Sequence, residues 1–159
     1  MNWESAGKLP WGVLLLFGGG LSLAGVIRSS GLAEWIAQSL GALGALPVIA
    51  IVGVVVLVII FLTEITSNTA TAAAFLPLLG ALAVAQGMPA ELLAIPAAIA
   101  ASCAFMMPVA TPPNAIVFGT GHMKIQSMIK AGFALNLFGV VVVTPVSYTH
   151  LRAHETPEH

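Results

Sequence analysis

The stretch Phe61-Leu62-Thr63-Glu64-Ile65-Thr66-Ser67-Asn68-Thr69-Ala70-Thr71 constrains this chain more than any other, because it is a polar island with apolar runs on both sides. Each flanking run is short for a bilayer crossing. A second interruption, Met107-Pro108-Val109-Ala110-Thr111-Pro112-Pro113-Asn114-Ala115, breaks a later apolar segment in its interior. Lipid offers no hydrogen-bond partners, so irregular polar backbone at membrane depth persists only where protein buries it or where it lines a watery cavity. Two such breaks in one small chain point to a place where something polar is bound.

The membrane setting follows from composition. Hydrophobic residues make up 58% of the 159 positions and charged residues 7%, and the mean hydropathy is +1.02. A soluble domain carries about 25% charge, so this chain cannot clothe its surface for water. The fold class it predicts is all-α integral membrane. The Val- and Ile-rich residues 47–62 could form a buried strand in water, but in lipid an isolated strand leaves its edges unpaired. The net charge of -1 gives no reason to expect nucleic acid as a partner, and the single Cys103 excludes an internal disulfide or a cysteine-cluster metal site. No small-residue cleavage site follows the apolar stretch after residues 1–10, so no signal peptide is expected.

Read in order, residues 1–28 hold the first transmembrane helix, running from Trp11 to Ile27 and closed by Arg28. Gly18-Gly19-Gly20 in its middle serves either close helix packing or an unwound point near a ligand. Residues 29–46 carry an amphipathic pattern, with Leu32, Trp35, Ile36, Ser39 and Leu40 at helical spacing. That pattern predicts an interfacial arm helix over 32–40, with Trp35 at headgroup level. Residues 47–87 read as two short helices, 47–62 and 70–86, meeting at the polar tip. At 1.5 Å per residue the first spans about 24 Å against a hydrocarbon core of about 30 Å. A re-entrant hairpin is therefore expected, with two short full spans as the alternative. Residues 88–121 form a discontinuous transmembrane helix: Glu91 suits the first turn, and a helical run over 92–107 meets the proline break. Residues 122–146 are a loop and the last transmembrane helix. Lys124 and Lys130 place that loop in the cytoplasm, which puts the hairpin opening and Arg28 outside and Lys8 inside. Residues 147–159 change composition abruptly, hold His150, His154 and His159, and read as a non-native tail.

A broken helix bares N–H groups at the start of one half and C=O groups at the end of the other. The N–H end attracts anions; the C=O end, joined by hydroxyl and amide oxygens, suits a hard cation such as Na⁺. Thr63, Thr66, Ser67, Asn68, Thr69 and Thr71 crowd the first break, and Thr111 and Asn114 flank Pro112-Pro113 in the second. The two prolines are expected to prevent helix and to leave carbonyls such as that of Ala110 facing an ion. Discontinuous helices are the usual substrate and ion sites of secondary transporters. Isolated Ser and Thr in membrane helices more often bond back to their own backbone; six such residues within the nine positions 63–71 favour a site. Glu64 is either a functional charge or a cap. An intramembrane enzyme is disfavoured: Ser67 has no histidine within the spans and Glu64 no acidic partner.

Ser67-Asn68-Thr69 at a hairpin tip, followed by Val109-Ala110-Thr111-Pro112-Pro113-Asn114-Ala115, resembles the divalent anion:sodium symporters, and the resemblance runs from about Trp3 to Pro145, including Pro10-Trp11-Gly12. The family carries dicarboxylates, citrate or sulfate with sodium. It is built from two inverted-topology repeats, each with a Ser-Asn-Thr hairpin and an unwound helix. With one such motif, the chain looks like the C-terminal half of a carrier whose N-terminal repeat is missing, and alone it is not expected to transport. The resemblance implies a sodium site from Thr63, Thr66 (carbonyl), Asn68 and Ala110 (carbonyl). It implies a substrate site from Ser67, Asn68, Thr69, Thr111 and Pro112. It also implies elevator-like transport with the 32–40 helix as the arm, a homodimer in the full-length protein, and a multi-pass plasma or inner-membrane location. Sodium acts as the coupling ion, with no other cofactor, no catalytic residue and no enzyme activity. The alternative is a related anion or arsenite exporter, or a sulfate or citrate carrier of the same broad fold.

Overall fold

The computed structural model describes Gly7, residues 11–32, Trp35 and residues 46–153. Among the described residues six helices follow one another: α1 Trp11–Ser29, α2 Val48–Thr63, α3 Asn68–Ala85, α4 Glu91–Ala100, α5 Pro112–Gly119 and α6 Ile125–Ala153. No strand occurs among the described residues. Most of the expected interfacial arm, residues 33–34 and 36–40, lies outside the described residues, as do Lys8, His154 and His159.

The short, alanine-rich α4 is the hub, packing against α2, α3 and α6. Its small side chains permit close approach, and Glu91 occupies its first turn. The core is read directly from spacing. Val52, Val56 and Ile60 recur every four residues on α2 and are fully buried; they meet Leu93, Ala97 and Ala100 on one face of α4. The consecutive helices α2 and α3 touch each other little. Between them lies an apolar cleft of about 310 Å³, lined by residues such as Val55, Ile59, Phe75 and Leu79. Both helices pack on α4, α2 also on α6 and α3 also on α1, rather than on one another. Outward faces stay apolar, with Phe138 and Val141 of α6 exposed. Among the described residues, α3 and α6 are long and apolar enough to cross a membrane; α2 is apolar but shorter.

The Gly18-Gly19-Gly20 tract does not unwind: α1 is continuous through it. Gly20 lies against the backbone of Ala73 on α3, where a Cβ would overlap the Ala73 carbonyl. The packing alternative is thus the one realised, and it rests on one glycine of the three. Gly20→Ala is expected to destabilise the α1–α3 contact by about 1–3 kcal/mol, as overpacking does. Thermal unfolding of the purified protein checks this; an unchanged midpoint would count against the contact.

Two expectations need correction. The helical run anticipated over 92–107 stops at Ala100, so the second break covers residues 101–111. Pro112 and Pro113 begin α5 rather than preventing it. A helix's first N–H groups lack intrahelical partners in any case, and proline's fixed φ suits the first turn. In addition, α6 continues past Ser147 to Ala153, so the change in composition there does not end the helix.

Candidate functional site

Residues 64–67 join the C-terminal end of α2 to the N-terminal end of α3. Ser67 has extended backbone and caps α3, its Oγ accepting from the Ala70 N–H at 3.2 Å. The N–H groups of Asn68 and Thr69 find no acceptor among the described residues. The α3 start therefore presents free donors and the positive end of a helix dipole. At the α2 end, the Leu62 carbonyl is occupied by the N–H groups of Ile65 and Thr66 and by the Thr66 hydroxyl at 2.8 Å. The Thr66 hydroxyl also meets that of buried Thr71 at 2.5 Å. With its side chain engaged, Thr66 has its carbonyl left over, which accepts no hydrogen bond among the described residues.

Thr63 is fully buried and stands at the junction of the two breaks. Its Oγ1 is 2.7 Å from Asn68 Oδ1 and 2.9 Å from the Ala101 carbonyl oxygen. One hydroxyl proton cannot serve two acceptors, so three oxygens converge around a single donor. Such an oxygen-rich spot around a buried hydroxyl is chemically suited to a hard cation.

Glu64 supplies the second link. Its carboxylate is buried, and Oε1 accepts the N–H groups of Phe105 (2.7 Å) and Met106 (2.9 Å), while Oε2 accepts that of Met107 (3.0 Å). Asn136 of α6, with no exposed surface, donates Nδ2 to Oε1 at 2.7 Å. Three consecutive backbone donors gathered on one anion form a nest, and here the anion is the chain's own. Opposite it, Asn114 Nδ2 donates to the carbonyls of Ala104 (2.9 Å) and Met107 (3.1 Å). Three N–H groups and two carbonyls of the break thereby find partners without helix. The Thr111 hydroxyl accepts a long contact from the Asn114 N–H at 3.4 Å, and the Ala110 carbonyl accepts no hydrogen bond among the described residues.

Thr63 and Asn68 are thus in direct contact; Ala110 and Thr111 belong to the break that Thr63 and Glu64 bind, and Pro112 is the first residue of α5. Ser67, Thr69 and Pro112 are exposed, Thr111 half-buried. Sequence reasoning left Glu64 open between function and cap, and it overlooked Asn136 altogether. The available signal was its status as the lone amide in the last apolar segment.

A family model described as the sodium:sulfate symporter transmembrane region matches residues 1–152. The sodium-dependent dicarboxylate transporter SdcS of Staphylococcus saprophyticus is 53% identical over 148 residues, and that of Staphylococcus aureus (strain USA300) is 51% identical over 148. Each comparison covers 93% of this chain and 28% of the relative's length. The likeness first suggested by the Ser-Asn-Thr and Ala-Thr-Pro-Pro motifs is met by both findings.

Proposed function

The chain belongs to the sodium:sulfate symporter transmembrane family, and from that premise we propose that it is the C-terminal part of a multi-pass cell-membrane carrier moving a small divalent anion, such as a C4-dicarboxylate, together with sodium. Residues 47–87 enter and leave the bilayer on one side as a re-entrant hairpin, and the chain forms one of two inverted repeats. Sodium is held by the Thr63 hydroxyl, the Asn68 amide oxygen and the carbonyls of Thr66 and Ala110. A substrate carboxylate is taken by Ser67, Asn68 and Thr69 at the α3 start, with Thr111 and Pro112 on its other side. No bond is made or broken, so the reading needs no catalytic residue. The N-terminal repeat completes the pocket, and the full-length carrier is a homodimer.

The observation that carries this reading is the junction at Thr63, where a buried hydroxyl, an amide oxygen and a main-chain carbonyl from both breaks converge. Support for the anion comes from the unspent N–H groups of Asn68 and Thr69 beside it. The proximity of a helix's C-terminal end and another's N-terminal end gives cation and anion adjoining seats of opposite polarity. The test is sodium-dependent succinate uptake by the full-length carrier in proteoliposomes. Ser67→Ala is expected to raise the succinate concentration for half-maximal uptake about tenfold, the lower end of the scale of one lost hydrogen bond to a charged group. Asn68→Ala is expected to weaken both sodium and succinate dependence. Uptake that is indifferent to sodium, or unchanged in both variants, would refute the assignment.

A further inference from the structure

Glu64 stands one residue beyond Thr63, yet its carboxylate faces away from open solvent into protein donors: three backbone N–H groups of residues 105–107 and the Asn136 amide. It ties three elements together, the end of α2, the second break and α6. The orientation of Asn136 is set by this contact, since the reverse would place two oxygens 2.7 Å apart. The consequence is that Asn136 Oδ1 is buried with no hydrogen-bond partner. A buried, unsatisfied acceptor is destabilising, so an amide that serves packing alone is poorly explained at this position. Its one strong bond to Glu64 is the feature that accounts for it.

The peptide plane gives that bond a reach beyond itself. In a trans peptide the N–H and C=O point in opposite directions. Holding the N–H groups of Phe105, Met106 and Met107 on Glu64 therefore turns the carbonyls of Ala104, Phe105 and Met106 the other way. The Ala104 carbonyl is caught by Asn114, which also holds the Met107 carbonyl and lies in the first turn of α5. The rotation of the break, and with it the direction of the carbonyls leading to Ala110, is set from the Glu64 side.

We propose that Glu64 and Asn136 are positioning residues for the cation site: Glu64 fixes the second break against the hairpin tip, and Asn136 acts through Glu64 by holding its carboxylate in place. This inference rests on the sodium site proposed above. The experiment uses the full-length carrier and two readouts, the sodium concentration giving half-maximal succinate uptake and the sodium concentration giving half-maximal thermal stabilisation of the purified protein. Glu64→Gln replaces one acceptor oxygen by an NH₂ that opposes a backbone N–H, and is expected to raise both sodium midpoints about tenfold. Asn136→Ala is expected to raise them about threefold, with maximal uptake per folded carrier at saturating sodium within twofold of the parent. The double variant should match Glu64→Gln alone, because Asn136 has no separate route to the site. Asn136→Ser, which retains a donor, should recover part of the loss and serves if the alanine variant folds poorly. Unmoved sodium midpoints with only the amount of folded protein reduced would overturn the proposal, as would additive effects in the double variant. If the parent's uptake and stability are both indifferent to sodium, the site itself fails and this inference with it; a sodium-dependent parent with insensitive variants defeats this inference alone.

Discussion

Gly132→Ala is expected to lower sodium-dependent uptake at least tenfold and to cut the yield of monodisperse, detergent-extracted carrier. Gly132 is buried on α6, where it faces the backbone of the second break. A Cβ there would overlap the Phe105 carbonyl oxygen and come within 2.5 Å of Met106 Cα. Backbone atoms cannot rotate out of the way as the end of a side chain can. Overpacking in a dense interior costs about 1–3 kcal/mol, already a tenfold effect near 1.4 kcal/mol. The displaced residues are also the ones that donate to Glu64, so the methyl group strains the break and its anchor together. Gly139→Ala is the matched control on the same helix. Its Cβ would stand 3.5 Å from Ile60 Cδ1, an ordinary contact, and uptake should stay within twofold. Equal tolerance of both substitutions would show that α6 does not press on the break.

Thr63→Val should be the most damaging change at the cation site that leaves shape intact. Valine keeps the volume and removes the hydroxyl, leaving the Ala101 carbonyl and the Asn68 amide without their shared partner. An unsatisfied buried polar group costs about 1–3 kcal/mol, which corresponds to a rise of about 5- to 150-fold in the sodium concentration for half-maximal uptake. Thr63→Ser keeps the hydroxyl and should recover most of the affinity. A sodium titration of uptake separates the two, and a valine variant with the parent's sodium dependence would remove Thr63 from the site.

These expectations rest on features that the sequence disclosed unequally. The polar tip was legible because hydroxyl and amide residues stand out against an oily background. The legs expected over 47–62 and 70–86 are realised as Val48–Thr63 and Asn68–Ala85. The end of α4 was not legible. Ala101-Ser102-Cys103-Ala104 holds no residue that stops a helix; the chain leaves helix there as Thr63 takes the Ala101 carbonyl and Glu64 gathers residues 105–107, from 38 to 43 positions away. Tertiary partners overrode local propensity. Pro112-Pro113 misled in the opposite direction, since proline marks a helix start as readily as a helix stop. Asn136 and Gly132 lie four apart on α6 and carry meaning only through what faces them, which no local pattern reveals.

The position of α4 between two legs that scarcely meet bears on how the polypeptide is assembled. As the chain leaves the ribosome, residues 48–85 emerge as a loop whose arms have almost nothing to hold onto in each other. Their shared interior exists only once the segment ending at Ala100 packs against both of them. The turn that joins these arms is completed by residues that follow it in the chain: the Ala101 carbonyl meets Thr63, and the N–H groups of residues 105–107 meet Glu64.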